Sequence, residues 1–545
     1  METNLPLDLL HWSLAIFPMA LLLVLLVFYR WKAAEAGAIG VLCVLLTAAL
    51  AFKAPLNDVA VAGAKGAWDS IYILYVIWPA MILYLLGKHS GAFDSLGREI
   101  VHFSKNEMFL VLGFGWVFAS FFQGISGFGT PVAVAAPILV ALGTRPVYAV
   151  AITLIGHAWA NMFGTLGVSW IATSQVVDLQ DPLATALQTA FLLGVVNLAG
   201  GTMVAWLYGR GPAIKHALPM ILTIAAIHGG GQFMLSGVDP VLANFIPGTI
   251  ALLALYPLSR WSRYQNEIPK ELSDRPAMED AAGKIAATQK DADKPVMSLG
   301  MAMFPYVLLA AIAIPMLTIT PITKLISAFD FGLPFPAVET GYGVQRAAVE
   351  AYSPLRPFNH PGFFLLLTSM ITWFVFNSNG YFAEWAKRVD VPSFWGELMK
   401  AAVPTSMAVA SYLIMSRVLD HSGQTMVLAF GIREFTPPLM FAFMSNGIGI
   451  FGAFMTSSNT ASNVLFSQLQ STIADLEGLP QSTLIAAQSA GGAIGNAIAP
   501  ANAVLGTSTT GIVGKEGDIL RLTLPWTLAI AVLTGFLTVL LVSIS

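Results

Sequence analysis

The sequence predicts an all-α polytopic membrane protein of about twelve transmembrane helices plus two re-entrant hairpins, arranged as an inverted repeat. Three observations carry that prediction. Charge is scarce: 27 basic and 30 acidic residues make up 10% of the 545-residue chain, against about 25% in soluble domains. Apolar residues make up 56% of it, and the mean hydropathy is +0.72. Water cannot solvate such a surface, so a soluble enzyme is excluded. Finally, landmark residues in the first half recur in the second at a nearly constant offset. The net charge of −3 offers no basic field for nucleic acid. The single cysteine, Cys43, excludes disulfides within the chain, paired-thiol metal sites and thiol redox pairs; it reads as a small buried hydrophobe.

The elements follow from the apolar runs. The opening METNLPLDLLHW lacks a basic n-region, and no A-x-A-like site follows the run Leu14 to Tyr29. That run reads as the first transmembrane helix, not as a cleaved signal. Stretches able to cross about 30 Å of hydrocarbon fall at 12–30, 37–54, 68–88, 183–206, 215–234, 239–258, 301–320, 361–379, 398–418 and 521–543. Two more, 146–173 and 480–512, are long but interrupted by glycine and small polar residues. The stretches 107–143 and 437–472 each carry a polar, glycine- or serine-rich break near the middle, which reads as a hairpin that enters the bilayer and returns. The segment 259–299 holds seven basic and seven acidic residues and reads as a solvated linker, partly helical or disordered. With this placement, 20 of the 27 Lys and Arg residues fall on one side and 7 on the other. Positive charge stays inside, so both termini are expected outside the cytoplasm and 259–299 within it.

The repeat is read from three landmarks. Lys88-His89-Ser90-Gly91 and Asp420-His421-Ser422-Gly423 each close a helix, 332 residues apart; Pro146 and Pro480 are 334 apart; the breaks at Gly164 and Gly495 keep nearly that offset. The resulting divisions are 1–210 for the first repeat, 211–258 for connecting helices, 259–299 for the linker and 300–545 for the second repeat. Seven crossings precede the second repeat, which inverts it. Secondary transporters with inverted repeats place their sites near the midplane at discontinuous helices.

The candidate site lies at the breaks. The first hairpin turns at Gln123-Gly124-Ile125-Ser126-Gly127-Phe128-Gly129-Thr130-Pro131, where glycines expose backbone N–H groups and Pro131 suits the first turn of a returning helix. The positive end of that helix can seat a carboxylate. The second turns at Thr456-Ser457-Ser458-Asn459-Thr460, whose hydroxyls, amide and freed carbonyls suit a carboxylate or a dehydrated sodium ion. Either tip alone could be a polar turn that caps buried helix ends. The facing wall is expected from His157, Asn161, Gln488 and Asn496 in the broken helices, although such side chains can also serve as interhelical glue. Apart from Glu107 at the outset of the first hairpin, these four segments carry no Asp or Glu. A neutral to slightly positive pocket favours an anion. His157 is the one histidine in a site helix, and an unperturbed imidazole titrates near pH 6.5, so it is the candidate proton carrier. The bland alternative is a neutral histidine that holds the helix break open.

Walker, HExxH and GxSxG motifs are absent, as is any intramembrane aspartate pair, so neither ATP-driven pumping nor an enzyme is expected, and no cofactor is implied. The sequence resembles the L-lactate permease family through GISGFGTPVAVAAPILVAL (124–142), SSNTASNVLFSQLQ (457–470) and GIVGKEGDILR (511–521). The resemblance covers essentially the whole chain. It implies a proton-linked importer of 2-hydroxy monocarboxylates such as lactate and glycolate, in the bacterial inner membrane. Relatives in the same broad superfamily imply a scaffold domain, a mobile transport domain carrying both hairpins, and an elevator-type homodimer. Departures sit at the site itself: the family pattern has acids where Gln123 and Asn459 stand, a lysine near Asn496, and asparagine in place of His157. The hydroxy acid, and proton versus sodium, stay open at this stage, and an anion channel with the same pocket is the alternative from another class. Reporter tags should place both termini outside and residues 259–299 inside; a cytoplasmic C-terminus would break the crossing order and the inversion with it.

Overall fold

Inside hydrocarbon a backbone N–H or C=O finds no water, so irregular chain is tolerated only where protein surrounds it. The computed structural model of this chain obeys that rule from its centre outward. It describes residues 4–101, 104–127, 129–266, 268, 274–279 and 296–544; Phe128 and most of 267–295, and with them most of the expected linker, lie outside that set. Among the described residues ten helices are long and apolar enough to cross a membrane, and the bent pair Pro146–Asn161 with Gly164–Val176 makes an eleventh.

The stretches 183–206 and 215–234 are two helices within Pro182–Ser236, parted where Gly209 and Arg210 leave helical angles (φ −158° and +58°); the chain reverses there, because Gly229 faces Gly194 and Asn197 and Gly237 faces Leu183 and Leu187. The expected crossings differ in two places. The stretch 239–258 is the shorter helix Phe245–Arg260 of 16 residues. The limbs Glu107–Ile125 and Pro438–Thr456 of the two hairpins are themselves long enough to count as spans. A small β excursion was not read from the sequence: Phe331–Phe335 pairs antiparallel with Val349–Leu355, and Val338–Glu339 with Gln345–Arg346.

Burial grades the elements. The limb Glu107–Ile125 is 100% buried over its most apolar window, whereas Leu9–Phe28 and Glu516–Ile544 reach 28%. The element that bears the first tip is therefore central, and the terminal helices form the rim. Backbones meet in the centre through glycine. A Cβ on Gly156 would lie 2.0 Å from the Gly115 carbonyl oxygen, and one on Gly449 would lie 2.2 Å from that of Gln488. In each half a hairpin limb thus presses against its own broken helix at an offset close to the repeat, and only small residues permit that approach.

A second symmetric feature lies beside the core. Leu56–His89 and Phe394–His421 pack along each other and are clasped at both ends. His421 Nδ1 lies 3.0 Å from Asp58 Oδ1, and His89 Nε2 lies 3.0 Å from Glu397 Oε2. Each histidine ends its own helix and meets an acid near the start of the other, which makes the pair antiparallel. The Asp58 end is buried, and Lys65 Nζ approaches His421 Nε2 at 3.4 Å. Lys65 donating to Nε2 while Nδ1–H donates to Asp58 uses both ring nitrogens of His421, and Asp58 Oδ2 stays buried with no hydrogen-bond partner among the described residues. Nearby, Asp69 accepts from Arg417 Nε at 2.7 Å and from the Tyr352 hydroxyl at 3.0 Å. That ties the β excursion to both helices.

Part of the charged linker is packed and not solvated. The Arg275 guanidinium holds Glu107, at the base of the first hairpin, at 2.8 Å, while Met278 is buried and bridges to Thr144. Glu107 is therefore neutralised far from either tip.

Removing one partner of a buried ion pair costs about 3–5 kcal/mol, whereas exposed pairs are worth about 0–1 kcal/mol. Asp58→Ala should lower the unfolding free energy of the solubilised protein by about 3 kcal/mol, and Glu397→Ala, at the more open clasp, by about 1 kcal/mol. Equal shifts in the thermal midpoint would mean that burial does not separate the two clasps.

Candidate functional site at the hairpin tips

Each tip is built from chain that cannot be helical. In the first hairpin, helix Ala119–Ile125 ends at Ser126, whose angles are extended (φ −144°, ψ 99°). Gly129 takes φ +84°, open mainly to glycine, and the return helix Thr130–Ala141 starts with Pro131 in its first turn and with no side-chain cap. In the second, Ser457 turns the chain at φ +55° and Ser458 caps the return helix Asn459–Glu477 by accepting from Ala461 N at 3.2 Å. One tip offers glycine-rich backbone with no side-chain cap; the other offers side chains.

The broken helices complete the enclosure. Pro146–Ala158 gives way to the 3-10 turn Trp159–Asn161, and Thr165, Leu166 and Gly167 then run left-handed (φ 50°, 50° and 72°). For Thr and Leu that conformation costs on the order of 1–3 kcal/mol each. Thr165 Oγ1 offsets part of it by accepting from Gly127 N at 2.8 Å. In the second half Gln481–Gly495 runs into the turn Asn496–Ile498, an extended Ala499, and Pro500–Thr509. Where the halves face, Asn496 Nδ2 donates to Asn161 Oδ1 at 2.7 Å, across 335 residues of sequence. Repeat-related residues thus bond to each other.

Around that bond lies a cavity of about 60 Å³. Gln123, Gly127 and Gly129 reach it from the first hairpin, and Ser457, Ser458, Asn459 and Thr460 from the second. His157, Asn161, Thr165, Val168, Ser169, Asn496 and Asn502 line it from the broken helices. No Asp, Glu, Lys or Arg is among them. Ser169 and Thr460 share a hydrogen bond of 2.7 Å, and Asn502 Nδ2 donates to Asn496 Oδ1 at 2.5 Å. Asn459 Oδ1 is buried and has no partner among the described residues. His157 Nδ1–H donates to the Thr153 carbonyl at 2.6 Å, so Nε2 is the ring atom left to take a proton. No group of three or more metal-ligating His, Cys, Asp or Glu side chains occurs among the described residues.

Of the residues expected at the site, Ser126, Thr130 and Gln488 do not line the cavity. Ser126 and Thr130 bond to each other at 3.2 Å, which braces the first tip. Gln488 donates to Ser462 Oγ at 3.1 Å and accepts from Gln470 at 3.2 Å, a buried brace behind the second hairpin. Ser169 and Val168 line the cavity without having been singled out. Ser169 and Thr173 lie four apart on the helical part of Gly164–Val176 beyond the break, and that i, i+4 pair of hydroxyls on one face is the signal that marks Ser169.

Residues 12–545 match the sequence model of the L-lactate permease family. The chain belongs to that family. It is 27% identical to the glycolate permease GlcA of Escherichia coli strain K12, over 96% of this chain and 94% of the relative. It is 26% identical to an L-lactate permease of Halalkalibacterium halodurans, over 97% and 96%, and 24% identical to the L-lactate permease of Escherichia coli strain K12, over 97% and 95%. Among solved structures, the Alcanivorax borkumensis YdaH transporter aligns with a TM-score of 0.41 at 15% identity, over 88% of this chain and 87% of that one.

A methyl group on Gly492 would lie 2.1 Å from Asn459 Oδ1, so Gly492→Ala must displace the second tip's amide. Lactate or glycolate uptake should fall at least tenfold in that variant at unchanged membrane level, while Gly447→Ala, which meets nothing within 4 Å, should behave as wild type. Normal uptake by Gly492→Ala would remove Asn459 from the site.

Proposed function

We propose that this chain imports small 2-hydroxy monocarboxylates, L-lactate, D-lactate or glycolate, by proton symport, with alternating access of the elevator type. The observation that carries the reading is the charge-free polar cavity between the two tips. At about 60 Å³ it is far below the roughly 300–1,000 Å³ of ordinary ligand pockets, so it suits a molecule of a few heavy atoms. Relatives named for glycolate and L-lactate transport support that substrate class. In this reading, the backbone N–H of Gly129 and hydroxyls at Ser457, Ser458 and Thr460 hold the carboxylate, joined by the Gly127 N–H once it leaves Thr165 Oγ1. Asn161 and Asn496 bond the 2-hydroxyl by opening their mutual bond, and Ser126, Thr130 and Gln488 position the tips. The hairpins and broken helices form the moving body, the helices clasped by His89 and His421 form part of the scaffold, and the assembly is a homodimer in the bacterial inner membrane with both termini outside.

His157 is the proposed proton carrier. A bound carboxylate and a protonated Nε2 favour each other, and by linkage each raises the other's affinity equally, typically by 5–150-fold. That is the thermodynamic requirement for symport. A second reading rests on the partnerless Asn459 Oδ1: with Ser458 and Thr460 it offers oxygens to a sodium ion, which would then drive uptake.

In proteoliposomes, His157→Asn should retain downhill exchange of labelled lactate or glycolate but lose accumulation driven by an inward proton gradient. Unchanged accumulation and pH dependence would make His157 structural and transfer the coupling to sodium at the second tip. Current that fails to saturate and never concentrates substrate would indicate a channel.

A further inference from the structure

The central cavity has one apolar wall. Among the described residues that line it, eleven carry a polar side chain, two are glycines, and Val168 alone offers a side chain without a polar atom. Its place on the broken helix is fixed from both directions. Upstream, Thr165 Oγ1 accepts from the first tip at Gly127 N, 2.8 Å away. Downstream, Ser169 shares its 2.7 Å bond with Thr460 of the second tip. Val168 falls between those two anchors and borders the cavity where the tips approach. The chain that delivers it is pressed against a neighbour: Gly167 runs at φ +72°, and a Cβ there would stand 3.0 Å from Val241 Cα. Covering hydroxyls and amides with a methyl group is costly, because each covered group loses its partner. Against Val168 the same methyl gains by leaving water.

We propose that Val168 seats the substituent on C2 of the substrate and thereby sets which 2-hydroxy acid the protein prefers. The proposal rests on the substrate reading above and assigns the one part of the acid that reading leaves without a partner. With the carboxylate at the tips and the 2-hydroxyl at Asn161 and Asn496, the variable group on C2 is a hydrogen in glycolate and a methyl in lactate. The hydrogen gains little from Val168, whereas the methyl packs against it. One methylene more or less in an apolar pocket separates substrates by about 10–200-fold. With a single apolar wall the lower figure applies, so lactate should be favoured over glycolate by about tenfold. The cavity of about 60 Å³ sets the upper limit, since a longer substituent must push Val168 back into the packed core to which it belongs.

Val168→Thr keeps the β-branched shape and replaces one methyl by a hydroxyl. In proteoliposomes offered equal concentrations of labelled lactate and glycolate, the ratio of the two uptake rates reports the ratio of their kcat/KM values. That ratio should fall about tenfold in Val168→Thr. Val168→Ala, which enlarges the seat, should raise uptake of 2-hydroxybutyrate relative to lactate by about tenfold. A merely structural role scales all acids alike and leaves both ratios where they were. Either variant, if it folds and keeps its wild-type ratio, would therefore overturn the proposal. Wild-type protein that moves none of the three acids would overturn the substrate reading and the seat with it. Wild-type protein that transports lactate and glycolate equally well would overturn the seat alone.

Discussion

The structure depends on one constraint: at membrane depth, a backbone group released from a helix must find its partner inside the protein. A transporter of a small anion needs such released groups, since helix ends and freed carbonyls bind without any buried charge. This chain releases them at Ser126, Gly127 and Gly129, at Thr165–Gly167, at Ser457–Ser458 and at Ala499, and then encloses them. The first hairpin limb is buried along its whole apolar length for this reason. The contacts of Gly156 on Gly115 and of Gly449 on Gln488 follow from the same need, because two backbones must approach closely enough to exclude lipid. Charge is excluded on the same ground: an unpaired acid in the pocket would add several kcal/mol of insertion cost, and hydroxyls and amides avoid it.

The two halves solve this problem alike in architecture and differently in chemistry. Hairpin, broken helix, glycine contact and terminal histidine recur at one offset, and Asn161 and Asn496 meet where the halves join. Yet one tip is glycine and backbone while the other is serine, asparagine and threonine. A symmetric frame can exchange two conformations of similar energy, whereas the unlike tips can bind the two ends of an asymmetric hydroxy acid.

Much of this was legible in the sequence, and for physical reasons. Hydropathy reports spans because lipid permits few alternatives, and the glycine-proline signature at 127–131 reports a turn because few other residues adopt it. What failed was long-range. Gln488 reads as a ligand because a buried glutamine in a glycine-rich helix looks the same whether it faces a pocket or braces a neighbour. Ser169 lies just past the glycine break, and a small hydroxyl in a transmembrane helix reads the same whether it faces a cavity or bonds a neighbouring helix. The twin motifs at His89 and His421 were recognised as landmarks, but their acid partners, Asp58 and Glu397, lie more than 300 residues away along the chain.

Those twin clasps have a mechanical consequence. Two antiparallel helices joined at one end can slide or splay, whereas two joined at both ends cannot do either without breaking a contact. A slip of a single turn, about 5.4 Å, would tear His89 from Glu397 and His421 from Asp58 together. The pair therefore behaves as a ruler of fixed length, with Tyr352 and Arg417 fastened to it through Asp69. Against such a ruler the hairpins have a support that does not itself yield.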